Sequence, residues 1–424
     1  MEASHLSSHS PPEVRFVSPS VRVPSGLLGS LLALWVVLAP AGALQGQVAA
    51  APPGEPASLS REALRTLVPE LEAQVRRTLM EGNIPSLTMA LVVGDSTVWE
   101  GGFGYANLWA RTPAIPETVY LIGSTFKTHS TAGLLQLMEE GRFHLDDPVR
   151  RYLGEVEIRG EDPEDPVTFR HLLTHTSGLP VTFGPHRVWG NTAPRPFREY
   201  FEAELEVVSP PLDSLRYSNI AYTLAAHLIE EMTGEDYAAF IQDRIFQPLG
   251  LTSTAFEPTP GMDERLAVPY LFEEETGHRP AERLKADAWP AGITYGTIRN
   301  QARWLRLNLN GGELEGARLL SPETVEAMHT VQHDPFRGPI GPGWGGEAAG
   351  WGLTWWADTR RGDRYFAHSG SVPGYTAFLE GNRDRGVGVA LLSNGHAAHL
   401  HLFRLSEWTI DRVLDALDKE AAGR

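Results

Sequence analysis

The sequence predicts an α+β protein: an antiparallel sheet flanked by N- and C-terminal helices, an α/β sandwich, interrupted by an inserted, mainly helical domain. Three observations carry this expectation. β-rich runs occur near both ends, around residues 86–107 and again from about Gly350. The stretch between them reads mostly as short helices and loops. Amphipathic helices open and close the pattern. The 424 residues, 42% hydrophobic and 21% charged, have a globular composition.

The elements follow in order. Ser60 is placed to cap a helix running to about Met80, with Leu64, Leu67, Leu71 and Val75 on one face. "SLTMALVVGDSTVWEGGFGYAN" reads as a hairpin turning at Gly94-Asp95-Ser96, with Leu87, Met89, Leu91 and Val93 giving one face to a core. After Gly123 the pattern turns helical: Leu134, Leu135, Leu137 and Met138 form a stripe that Gly141 closes. "SNIAYTLAAHLIEEMTG" and "DYAAFIQDRIFQPLG" read as two helices ended by glycine. The Pro-rich, aromatic loop "VTFGPHRVWGNTAPRPFREYF" precedes them and is expected to roof a pocket, because loops of that length are usually functional or disordered. "GWGLTWWAD", "DRYFAHSG", "YTAFLEG" and "GVGVALLSN" read as short strands, and "HLHLFRLSEWTIDRVLDALDK" as the closing helix. Trp351, Trp355 and Trp356 alternate as in a strand, so a core or cleft wall is expected of them.

Arg15 and Arg22 precede the apolar run from Gly26 to Ala43, which ends in the small-x-small pattern Ala41-Gly42-Ala43. The run is short for a membrane span. Residues 1–43 are read as a signal peptide and 44–59 as a Pro/Ala-rich linker. Residues 60–420 form the functional domain: 60–123 with about 290–420 as the sheet part, about 124–290 as the helical part. The expected location is exported, periplasmic or extracellular. No membrane contact is expected beyond an uncleaved signal anchor. The net charge of −17, with no basic run, argues against nucleic acid. With no cysteine, disulfides and thiolate catalysis are excluded.

Of 36 lysines and arginines only Lys127, Lys285 and Lys419 are lysines, so 33 are arginines. Arginine cannot give up its proton in a protein, whereas a buried lysine can. Lys127 follows Ser124 by three residues, and on a helix that spacing makes the side chains neighbours. A desolvated, neutral Lys127 would take the proton that serine must lose to become a nucleophile. Tyr217-Ser218-Asn219 stands just before a helix. A tyrosine near a cation ionises more easily, so Tyr217 is a candidate base and then acid; Ser218 or Asn219 also suits a helix N-cap. A strand ending in His368-Ser369-Gly370 precedes Ser371. Gly370 would let a substrate approach the backbone, and the Ser371 N–H with the Ser124 N–H would make an oxyanion hole. His171 and His175, at i and i+4, lack a metalloprotease glutamate, and no metal or cofactor is expected.

Taken together, Ser124-x-x-Lys127, Tyr217-x-Asn219 and His368-Ser369-Gly370 resemble, in order, the three motifs of the serine β-lactamase and penicillin-binding protein superfamily. "HLLTHTSGL", "DRIFQPLGLTSTAF" and "PAGITYGTIRNQARWL" look similar to segments of its class C β-lactamase-like hydrolases, a group that includes esterases and peptidases. The resemblance covers about Leu64 to Ile410 and implies a β-lactamase/transpeptidase-like fold. It implies Ser124 as acylated nucleophile and Lys127 and Tyr217 as the proton carriers. Asn219 would contact substrate, His368 and Gly370 would mark the strand beside it, and the Ser371 N–H would complete the oxyanion hole. Classical members begin the third motif with lysine, whose charge helps bind a substrate carboxylate. His368 is mostly neutral at pH 7, so weaker binding of penicillin-like carboxylates is expected. The expectation is a serine hydrolase cleaving a small-molecule ester, amide or peptide. The alternatives are a β-lactamase or D-Ala-D-Ala carboxypeptidase or D-aminopeptidase, and, in another class, a non-catalytic peptidoglycan- or partner-binding protein.

Overall fold

Ser60 caps the first helix as its place in the sequence suggests: its hydroxyl accepts the Ala63 N–H at 3.1 Å, and α1 runs Arg61–Glu81. The structure is a computed structural model describing residues 58–181, 194–340, 344–396 and 398–423, with the backbone of residues 187–189. The apolar leader, nearly all of the linker and the centre of the Pro-rich loop lie outside the described residues.

After α1 the chain forms β1 (Ser86–Val93) and β2 (Ser96–Asn107), joined across Gly94 at φ +62°, then β3 (Thr112–Pro113). The intervening helices include α2 (Lys127–Glu139), α3 (Asn219–Thr233) and α4 (Ile298–Leu309). The chain returns to the sheet through β4 (Gly350–Trp351), β5 (Trp356–Arg360), β6 (Asp363–Val372), β7 (Tyr375–Asn382) and β8 (Val387–Ser393), and ends in α5 (His399–Ala422). The strand order is β4-β5-β6-β7-β8-β1-β2-β3. Every neighbouring pair is antiparallel, and β1 and β8 join the two ends of the chain from Leu87 opposite Ser393 to Val93 opposite Val387.

β1 gives one face to a core as its alternation suggests, and gives its other face to a second core. All eight of its residues are buried. Leu87, Met89, Leu91 and Val93 join the core under α1 and α5, while Ala90 and Val92 join a second core under α4 and the helical insertion. The smaller residues are small because α4 packs closely on that face, not because water does. Three expectations change. Trp351 to Trp356 is a bent pair of strands rather than one. The helix after Asp236 is α-helical only over Tyr237–Ile241 before a π turn at Gln242–Phe246. β6 does not stop at Gly370 but runs on to Val372.

That extension positions the site. β5 pairs with β6 only as far as Trp356 opposite Ala367, so residues 368–372 have lost their strand neighbour on that side. The 3₁₀ turn Gly123–Phe126, which leads into α2, occupies the vacated edge.

Candidate active site

The turn that carries Ser124 is fixed on both sides. The Ile122 N–H donates to Thr294 O at 2.9 Å. Gly123 takes φ +58°, a left-handed conformation that glycine adopts freely. A Cβ added to Gly123 would come 2.8 Å from Ser371 N; one added to Gly370 would stand 3.1 Å from Ser124 N and overlap the Ile122 carbonyl oxygen. Both glycines thus let turn and strand touch backbone to backbone. The close approach that Gly370 permits is by the chain's own turn, where the sequence suggested a substrate. The amides of Ser124 and Ser371 consequently meet at one seam, the arrangement a paired N–H oxyanion site requires.

Lys127, the first residue of α2, is completely buried. Its Nζ lies 3.0 Å from Ser124 Oγ, 2.8 Å from Asn219 Oδ1 and 2.6 Å from Ala291 O. No carboxylate pairs with it among the described residues, and burial pushes its pKa well below the ordinary lysine value. A neutral amine satisfies all three contacts: two N–H bonds donate to Asn219 and Ala291, and the lone pair accepts the Ser124 hydroxyl proton. The rings of Tyr217 and Tyr222 stand 4.9 and 5.4 Å from Nζ and complete the enclosure.

Tyr217 immediately precedes α3. Ser218 is the cap, its hydroxyl accepting the Ala221 N–H at 3.2 Å while its own N–H donates to His175 Nδ1 at 3.0 Å. His175 in turn lies 4.2 Å from the Tyr217 ring and edge-on to Trp351 at 4.6 Å. The segment "HLLTHTSGL" therefore props Tyr217 against the cleft. The Tyr217 hydroxyl interacts with Ser124, but burial dominates and pushes the phenol up, so it stays protonated. The phenol is not eased toward ionisation as the sequence suggests, because its burial outweighs its contact with Ser124.

Asn219 is 3% exposed, and its Oδ1 accepts from Lys127 Nζ. His368 is buried, and burial lowers its pKa to about 3. Its Nδ1 lies 2.7 Å from Ser369 O. A carbonyl can only accept, so Nδ1 carries the proton and Nε2, without a partner, is an acceptor. The third motif thus presents no cation at neutral pH, as the sequence suggests.

Ser124, Tyr217, His368 and Ser371 open onto one cleft of about 590 Å³. No aspartate or glutamate lines it among the described residues. Sequence reasoning missed three contributors: the Ala291 carbonyl, His175 as the prop of Tyr217, and the wall from Phe336 to Ile340. A backbone acceptor leaves no trace in residue type, and the wall comes from a segment with no periodic pattern.

Comparison with known proteins agrees with this geometry. Residues 70–404 match the family described as Beta-lactamase. Penicillin-binding protein 4 of Amycolatopsis lactamdurans is 27% identical over 322 residues, covering 75% of this chain and 83% of that protein. Protein flp of Staphylococcus aureus strain N315 is 23% identical over 328 residues, 77% of this chain; the chain spans only 62% of that relative's length. The octameric penicillin-binding protein homologue from Pyrococcus abyssi superposes with a TM-score of 0.66 at 26% identity, covering 82% of this chain and 77% of that one. The chain belongs to the Beta-lactamase family.

Proposed function

We propose that this protein is an exported serine hydrolase that cleaves an ester or amide through an acyl-enzyme on Ser124. The observation that carries the reading is the enclosed Lys127 amine at 3.0 Å from the Ser124 hydroxyl oxygen. Ser124 Oγ attacks the carbonyl carbon as its proton passes to Lys127 Nζ. The negative oxygen is held by the Ser124 and Ser371 N–H groups. As the bond to the leaving atom breaks, that atom takes the Tyr217 hydroxyl proton, and Lys127 returns a proton to Tyr217. Water then attacks the acyl-enzyme by the same steps in reverse, restoring Ser124. Asn219 and the Ala291 carbonyl keep the amine turned toward Ser124.

The neutral His368 favours substrates without a carboxylate beside the scissile bond. Hydrolysis rates across p-nitrophenyl esters, D-amino-acid peptides and a chromogenic cephalosporin test this. Esters or peptides should turn over, the cephalosporin at least about 10²-fold less efficiently, and Ser124→Ala should abolish every activity. Efficient cephalosporin turnover would contradict the substrate reading; turnover that survives in Ser124→Ala would contradict the mechanism. Export is supported by the apolar run Gly26–Ala43, and recovery of the full-length chain in the cytoplasm alone would contradict it.

A further inference from the structure

We propose that the leaving half of the substrate, the alcohol or amine, is bulky, apolar and uncharged, and that it sits against Phe336, Ile340, Trp351 and Trp356. This rests on the hydrolase reading above and sharpens it. Ser124, His368, Ser369, Ser371, Arg337 and His399 are the polar part of the lining; the rest, besides Tyr217 and Gly338, is apolar, made of Leu215, Pro339 and those four side chains. Both tryptophans are fixed. Trp351 meets His175 edge-on at 4.6 Å, and Trp356 stacks 5.6 Å from His368. The opposite wall is preformed too: the Gly338 N–H donates to Ala349 O at 2.8 Å, and Ile340 pairs with Trp344, whose Nε1 donates to the buried Glu380 at 3.0 Å.

Arg337 is the one permanently charged residue among those described in the lining. It is already engaged, with Nε on Asp334 at 2.8 Å and Nη1 on Ala348 O at 2.6 Å. An anionic group in the slot would find no unpaired cation. An ammonium would find no carboxylate.

Tyr217 decides which half of the substrate lies there. The group that protonates the leaving atom has to stand on the leaving side. Tyr217 lines the same cleft as those four side chains, so the departing group is placed against them.

The test compares benzyl acetate with methyl acetate, whose alcohols are of similar acidity, and methyl phenylacetate with methyl acetate. Enlarging the alcohol should raise kcat/KM by about tenfold or more, enlarging the acyl group by much less. Phe336→Ala, at a half-buried position, should cut the benzyl-to-methyl ratio at least about threefold while Ser124 still reacts with a fluorophosphonate probe. Equal rates, a gain on the acyl side, or no ester turnover by a protein whose Ser124 takes the probe would overturn the inference and leave the nucleophile standing. A protein that does not take the probe at Ser124 would overturn the hydrolase reading itself.

Discussion

Lys127 Nζ lies 3.0 Å from Ser124 Oγ, and its two other contacts, Asn219 Oδ1 and Ala291 O, can only accept. This arrangement suits a proton acceptor that is neutral at rest. It also explains why the position is lysine in a chain that otherwise writes arginine: a guanidinium would stay charged, with no carboxylate to pair it. Lys127→Met and Lys127→Arg should therefore both lower kcat/KM by about 10²–10⁴-fold. Steady-state kinetics on the best ester checks this, and retained activity in Lys127→Arg would show that charge, not proton transfer, is what the site needs.

The same amine makes activity and stability depend on pH. Activity should fall as pH drops through the depressed Lys127 pKa, and that limb should vanish in Lys127→Met. Between this native pKa and the ordinary lysine value of 10.5, the unfolded chain holds one proton more than the native chain. Stability should therefore rise with pH across that window, by about 1.4 kcal/mol per unit from this group. Denaturation at several pH values should show a flatter slope in Lys127→Met; an unchanged slope would mean Lys127 is charged in the folded protein.

Gly370 is a second sensitive point. Any side chain there meets the Ile122 carbonyl and the Ser124 amide, so the strand must move away from the turn. Gly370→Ala should keep the fold and lose about 10²-fold in kcat, because a shift near 1 Å misplaces the oxyanion donors. Circular dichroism with single-turnover kinetics separates this outcome from simple unfolding.

Glu380 lies fully buried on β7, bound by Trp344 Nε1, Arg360 and, at 2.6 Å, Ser406 Oγ. It ties the segment carrying the cleft wall to the sheet and to α5. Glu380→Ala leaves the Arg360 guanidinium without this partner in a largely enclosed site and should cost about 3–5 kcal/mol in urea unfolding. Glu380→Gln keeps the shape and should cost less, about 1–3 kcal/mol.

Much of this was legible in the residues. Ser60, Gly94 and Gly141 mark their element ends through local rules that need no tertiary context. The Ser124–Lys127 spacing fixes one helical turn, so their contact follows from sequence alone. Tyr217 and His368 could be singled out only through the motif order, since 93 and 244 residues separate them from Ser124. The protonation of Tyr217 was less legible: it is set by burial under residues from distant segments, which local charge reasoning does not see. The core face of β1 was legible in its alternation, but the second core on its other face was not, because α4, which covers it, is distant in sequence.

The most direct test is reaction of the protein with a fluorophosphonate probe at neutral to mildly alkaline pH, followed by intact mass and peptide mapping. One adduct per chain on Ser124, absent in Ser124→Ala and strongly slowed in Lys127→Met, is the predicted result. A wild-type protein that stays unlabelled, or an adduct that forms equally in Ser124→Ala, would contradict it.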